Sequence, residues 1–163
     1  MKKKNILFVC TGNIFRSVSA EYSLKKYLSD NKIKGWSVSS AGIIAKKVQI
    51  DKKILEVLEN KGIKIINHRQ KKLTKQMLND YAIVIAMAQN HVDFIKSKLE
   101  YGGVLLFNEL ADNKKTSVLD VGDEIKDCLT NREAVEMKIE STIEYIFSKI
   151  PQLFSNICKI NNR

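Results

Sequence analysis

Val9-Cys10-Thr11-Gly12-Asn13-Ile14-Phe15-Arg16-Ser17 follows directly on the apolar run Ile6-Leu7-Phe8-Val9. The run reads as a buried strand that ends in a thiol. Gly12 and Asn13 then supply two residues that tolerate positive φ, and a helix opens at Ser17. A loop of this kind turns successive backbone N–H groups inward, and the helix N-terminus adds the positive end of its dipole. The product is a cradle for a tetrahedral oxyanion, formed by Thr11, Gly12, Asn13, Ile14, Phe15, Arg16 and Ser17. The same field and the neighbouring Arg16 favour a thiolate at Cys10, which makes Cys10 a candidate nucleophile. Arg16 is the candidate phosphate clamp, because its planar fork matches two phosphate oxygens at once.

Outward from this stretch, apolar runs alternate with helical patterns. Asn5 to Val9 is the first strand, and the helix from Ser17 to about Ser29 carries an apolar stripe at Ala20, Leu24, Tyr27 and Leu28. Gly35 turns the chain into a second strand, Trp36 to Gly42, that ends in Ser40-Ala41-Gly42. Asp51 caps a helix that runs to Lys61 and stops at Gly62, and Thr74 caps a shorter one through Leu78. Tyr81 to Met87 is a continuous apolar run, as a parallel strand covered on both faces requires. Asn90 to Leu99 is helical, Gly103 to Phe107 is a fourth strand, and the acidic stretch from Asp112 to Cys128 is irregular. A long helix begins near Asn131 with the stripe Val135, Ile139, Ile143, Ile146 and Ile150. Pro151 is expected to end it, leaving a short amphipathic extension through Leu153, Phe154, Ile157 and Ile160. This alternation predicts a single α/β domain over residues 1–163 with a right-handed parallel sheet. In such sheets ligands bind beyond the carboxyl ends of the strands, where Cys10 lies.

Composition bounds the function. A chain of 163 residues buries about 70% of its unfolded surface without staples. Cysteines at 10, 128 and 158 form neither a disulfide framework nor a zinc pattern, which fits a reducing compartment. The apolar run after Met1-Lys2-Lys3-Lys4 is shorter than the ~7 to 15 residues of a signal-peptide core, and no run reaches transmembrane length, so a cytoplasmic protein without membrane association is expected. The net charge of +10 is uneven: residues 44–75 hold ten Lys or Arg against three acids, and 112–144 hold nine acids against five bases. No aromatic interleaving or recognition motif accompanies the basic half, which argues against nucleic acid.

Cys10, Gly12, Asn13, Arg16 and Ser17 resemble the C-x-G-N-x-x-R-S signature of the low-molecular-weight protein tyrosine phosphatases, whose fold is shared by thioredoxin-coupled arsenate reductases. The resemblance extends through Ser40-Ala41-Gly42, His68 and the Thr74-capped helix. It implies a three-layer fold with a four-stranded parallel sheet in the order 2-1-3-4. It also implies hydrolysis of protein phosphotyrosine and small aryl phosphates through a phosphocysteine, with no metal or organic cofactor and with phosphate or other oxyanions as ligands. The family's general acid falls on Asp123, although Glu124 stands in place of its proline and Ile125 in place of its aromatic residue. Asp120 is a second candidate. The likeness further implies a hydrogen-bond network of Asn13, Ser17, Ser40 and His68 that holds the loop.

Three departures matter. Phe15 stands where many members carry a second cysteine, Val18 replaces a helix-opening proline, and 43–50 lacks the aromatic residue of the site mouth. The first cysteine of the arsenate reductase relay falls on Met87. Phosphoarginine phosphatases carry Thr after the Gly-Asn of the loop, whereas Ile14 follows here, as in tyrosine phosphatases. A non-catalytic phosphate-binding module is the reading from another class.

Overall fold

The structure, a computed structural model, describes residues 4–45 and 47–161. The chain runs β1 (Asn5–Cys10), α1 (Arg16–Asp30), β2 (Ser37–Gly42), α2 (Lys52–Asn60), α3 (Lys75–Asp80) and β3 (Ile83–Ala86). It continues as α4 (Gln89–Lys98), β4 (Val104–Leu106), α5 (Phe107–Asp112), α6 (Val121–Glu124) and α7 (Arg132–Asn161). The four strands form one parallel sheet in the order β2-β1-β3-β4, as the resemblance implies. β1 is central, with Cys10 paired to Gly42 on one side and Val9 to Ala86 on the other.

The two-residue period of β1 assigns its side chains to opposite layers. Ile6, Phe8 and Cys10 face a core completed by Leu24 of α1, Phe107 of α5 and Ile146, Ile150 and Leu153 of α7. Leu7 and Val9 face a second core with Leu78 of α3 and Val92 and Ile95 of α4. A third cluster joins Phe15, at the start of α1, to Ile54, Val57 and Leu58 of α2 and Ile139 and Ile143 of α7. The loop is therefore fixed from behind by packing.

Three local expectations are corrected. Helix α1 starts at Arg16, one residue before Ser17, within the usual spread of helix ends. The fourth strand stops at Leu106, because Phe107 turns into the sheet core as the first residue of α5, and the following acidic stretch holds the single turn α6. Pro151 does not end the long helix, so there is no separate extension: α7 is continuous through Asn161. The proline removes one N–H and costs about 3 kcal/mol in a helix interior. Against this, Ile146, Ile150, Leu153, Phe154 and Ile157 are all buried around it, and each such burial contributes about 1.5 to 3 kcal/mol. Packing wins, and the helix passes through. Lys2 and Lys3, with the rest of the N-terminal basic stretch before Lys4, lie outside the described residues. No helix among the described residues is long and apolar enough to cross a membrane.

Candidate active site

The loop from Thr11 to Phe15 leaves the carboxyl end of β1 and enters α1. Asn13 adopts φ 55°, the left-handed conformation that asparagine tolerates better than most residues. Its side chain is fully buried and holds three partners: Nδ2 donates to Ser17 Oγ at 3.1 Å and to Ser40 Oγ at 2.7 Å, and Oδ1 accepts from Lys71 N–H at 3.0 Å. β2 closes on the loop from the side. A Cβ built on Gly42 meets the Thr11 carbonyl oxygen at 2.7 Å and the Asn13 nitrogen at 2.8 Å, so only glycine permits this approach. Gly42 in turn donates to Lys71 O at 2.8 Å and accepts from Leu73 N–H at 2.8 Å, which brings the basic segment to the loop's edge.

Among the described residues, the N–H groups of Gly12, Asn13, Ile14 and Phe15 donate to no protein group, and Arg16 and Ser17 open the first turn of α1. Six successive amides are thus available to one anion. The Cys10 Sγ, on the last residue of β1 and one position before the loop, is buried and shares a hydrogen with Ser17 Oγ at 2.9 Å. Arg16 is 3% exposed. Its Nη1 donates to Val118 O at 2.9 Å, and its Nη2 donates to Asp120 Oδ2 at 2.7 Å and to Thr11 Oγ1 at 3.3 Å. The guanidinium is held on its outer side, which leaves Nε–H and one Nη1 hydrogen for a ligand.

The two candidate acids stand differently. Both oxygens of Asp120 are engaged, Oδ2 by Arg16 and Oδ1 by Val121 N–H at 2.8 Å. Asp123 accepts Asp120 N–H at Oδ2 at 2.7 Å, and its Oδ1 remains available. α6 exists because each of the two carboxylates caps backbone N–H groups at its start.

The structure brings Asn13, Ser17 and Ser40 together, with His68 beside the backbone carbonyl of Asn13. Both amide hydrogens of Asn13 are used by the serines, so His68 lies by the backbone carbonyl of Asn13 and not by its side-chain amide. His68 Nδ1 and Tyr22 Oη lie 3.4 Å apart, and its buried Nε2 makes no side-chain hydrogen bond of normal geometry. Burial lowers the His68 pKa, opposed by the Glu21 charge and by the nearby Asn13 backbone carbonyl. The network's far end is Glu21, 3% exposed, which accepts from Ser40 Oγ and pairs with Lys25. Sequence reasoning missed Glu21. Its signal was an acid on the buried face of α1 between Ala20 and Leu24.

His91 was missed as well. It is fully buried at the start of α4, directly beyond the end of β3, and its Nε2 lies 2.9 Å from Thr11 Oγ1. Among the described residues, no group of three or more His, Cys, Asp or Glu is arranged to hold a metal ion. An available thiol, six amides, a fixed guanidinium and a carboxylate with an available oxygen make up a site able to transfer a phosphoryl or similar group.

Comparison with known proteins agrees with this arrangement. The profile of the Low molecular weight phosphotyrosine protein phosphatase family matches residues 5–159. Arsenate reductase 2 of Staphylococcus haemolyticus is 36% identical over 131 residues, covering 77% of this chain and 93% of the relative. The low molecular weight protein-tyrosine-phosphatase Etp of Escherichia coli is 32% identical over 117 residues, covering 71% and 76%. Among solved structures, a YwlE arginine phosphatase mutant with a phosphorylated active-site serine superposes with TM-score 0.80 at 25% identity, covering 95% of this chain and 96% of the other. A low molecular weight protein tyrosine phosphatase from T. tengcongensis superposes with TM-score 0.78 at 27% identity, covering 93% and 97%.

Proposed function

The chain belongs to the low molecular weight phosphotyrosine protein phosphatase family, and from that premise we propose that it hydrolyses phosphotyrosine in proteins and small aryl phosphates through a phosphocysteine. The observation that carries this reading is the Cys10 Sγ at 2.9 Å from Ser17 Oγ inside a loop whose amides are unpaired and whose arginine is fixed. In the first step the Cys10 thiolate attacks phosphorus, an S–P bond forms and the P–O bond of the ester breaks. The departing phenoxide takes a proton from Asp123, the acid with an uncommitted oxygen. In the second step Asp123 takes a proton from water, the resulting hydroxide attacks phosphorus, and the S–P bond breaks to release inorganic phosphate. Ser17 Oγ–H donates to the departing sulfur, while the loop amides and Arg16 hold the equatorial oxygens throughout.

Two observations bear on the substrate. Ile14, half-buried in the loop, is an apolar neighbour suited to an aryl ester. The arsenate reductase relay would need a thiol at Met87, which is instead fully buried in the sheet core, and Cys128 gives its thiol hydrogen to Ile125 O at 2.8 Å. These favour hydrolysis of an aryl phosphate over arsenate reduction. The test is hydrolysis of p-nitrophenyl phosphate and of matched phosphotyrosine and phosphoarginine peptides by the chelator-treated protein and its Cys10→Ser variant. Turnover is expected on the aryl esters and absent in the variant. Faster release from phosphoarginine, or arsenate reduction without hydrolysis, would overturn the assignment.

A further inference from the structure

His91 is a buried histidine that the proposed chemistry does not use. It lies in α4, 80 positions from the loop, with its ring 0% exposed. Its two nitrogens have distinct partners: Nδ1 accepts Ala88 N–H at 3.1 Å, and Nε2 faces Thr11 Oγ1 at 2.9 Å. A ring nitrogen that accepts a backbone N–H carries no hydrogen, so in the neutral ring the hydrogen resides on Nε2. Burial and the nearby positive Arg16 push the His91 pKa down to about 3, with the Asp123 carboxylate pulling the other way, so the ring is neutral at any ordinary pH. His91 Nε2–H therefore donates to Thr11 Oγ1.

Thr11 Oγ1 receives a second hydrogen from Arg16 Nη2 at 3.3 Å. A hydroxyl oxygen has two lone pairs and one hydrogen. With both lone pairs occupied by donors, the Thr11 hydrogen has no choice but to point away from them. Thr11 is the first residue of the loop after Cys10, only half-buried, and hydrogen-bonded to the guanidinium proposed as the phosphate clamp.

We propose that His91 is a positioning residue that fixes the Thr11 hydroxyl as a donor to the bound phosphoryl group and, through Thr11, steadies Arg16. This rests on the phosphate-binding reading of the loop and deepens it. Thr11 adds a side-chain donor to the six amides, oriented by a ring that never touches the ligand. The geometry suits a tetrahedral dianion with several acceptor oxygens, whether free phosphate or a phosphate ester.

The test measures binding of inorganic phosphate directly, by calorimetry on the full chain, beside hydrolysis of p-nitrophenyl phosphate. Thr11→Val removes the hydroxyl at constant shape, Thr11→Ser keeps it, and His91→Asn keeps an acceptor for Ala88 N–H but is too short to reach Thr11. Thr11→Val and His91→Asn are each expected to weaken phosphate binding about tenfold, the effect of one lost hydrogen bond to a charged group. Thr11→Ser is expected to bind like wild type. The double variant Thr11→Val/His91→Asn is expected to bind no more weakly than Thr11→Val alone, because His91 acts only through the hydroxyl. A merely structural histidine would instead lower the melting temperature and leave phosphate affinity alone, or its effect would multiply with that of Thr11→Val, and either result overturns the proposal. Should wild type bind phosphate without hydrolysing the ester, the phosphatase reading fails while the binding comparison still decides the role of His91. Absence of phosphate binding in wild type overturns both.

Discussion

Asp120, and not Asp123, holds the guanidinium of Arg16: Nη2 donates to its Oδ2 at 2.7 Å across 104 positions of sequence. The pairing distinguishes two acids three residues apart. Both oxygens of Asp120 are engaged, whereas Asp123 keeps one uncommitted, which under the proposed mechanism leaves it the acid.

The first prediction separates these roles. Asp123→Asn is expected to slow hydrolysis about 100-fold or more, most strongly for esters with poor leaving groups. Asp120→Asn is expected to weaken phosphate binding about three- to tenfold with turnover at saturation near wild type. The smaller figure reflects the 40% exposure of the Asp120 side chain, which lets solvent screen the pair. Steady-state kinetics with phosphate inhibition checks both, and a larger loss of turnover in Asp120→Asn would exchange the assignments.

His91 is expected to make stability depend on pH. Its folded pKa of about 3 lies below the unfolded value of about 6.5, so between these values the unfolded chain binds the extra proton. Stability is therefore complete above about pH 6.5 and is lost progressively as pH falls toward 3, by about 2 kcal/mol at pH 5. His68, also shifted downward, acts in the same direction. Urea unfolding at pH 7.5 and pH 5 should show this loss, and His91→Asn should reduce it. An equal slope in the variant would assign the acid sensitivity elsewhere.

Gly42→Ala tests the contact between β2 and the loop. The added carbon would lie 2.7 Å from the Thr11 carbonyl oxygen and 2.8 Å from the Asn13 nitrogen, and backbone has little room to yield. A destabilisation of about 1 to 3 kcal/mol is expected, together with weaker phosphate binding. Full retention of both would mean that the loop relaxes freely.

Oxidation of Cys10 is expected to be irreversible. Its polar neighbour is Ser17, the position beside Arg16 is Phe15 packed against α2, and the Cys128 thiol is bonded to Ile125 O. Cys158 lies near the end of α7 that packs on Trp36, ahead of the first residue of β2 and opposite the site. With Ser17 as its bonded partner and no cysteine beside Arg16, Cys10 is expected to pass beyond sulfenic acid under peroxide. Intact-mass measurement should show added oxygens that dithiothreitol does not remove. A disulfide from Cys10 to Cys128 or Cys158 would contradict this.

Pro151→Ala should stabilise the protein, by about 1 to 3 kcal/mol, by restoring a helix hydrogen bond at an exposed position of α7 without altering turnover. Thermal unfolding beside aryl phosphate kinetics measures this. An unchanged or lower melting temperature would show that the proline already fits the helix at no cost.

Much of the molecule is legible in the sequence because its causes are local. Phe8 and Val9 alternate across the sheet because a strand repeats every two residues, and the buried stripe from Val135 to Ile150 follows from helical spacing. Asp51 and Thr74 cap their helices as read, each accepting an N–H two or three residues ahead. The loop from Cys10 to Ser17 is legible for the same reason: its conformation depends on a positive φ at Asn13 and on helix N–H groups a few residues apart. Phe107 and Pro151 misled the reading because propensity was weighed without the layer of core into which each segment packs.

The sequence by itself determined the strand that ends in Cys10, the loop after it and the helix that the loop enters, since these rest on contiguous residues, and the family resemblance those residues carry implied the strand order that the sheet adopts. Tertiary structure alone decided what surrounds them. That Asp120 takes Arg16, that Glu21 receives the Ser40 end of the Asn13 network, and that His91 reaches Thr11 all depend on which elements of the folded chain end side by side. Hydrogen bonds between residues 19 to 104 positions apart leave no periodic trace in a sequence, because only burial brings the donors to their acceptors.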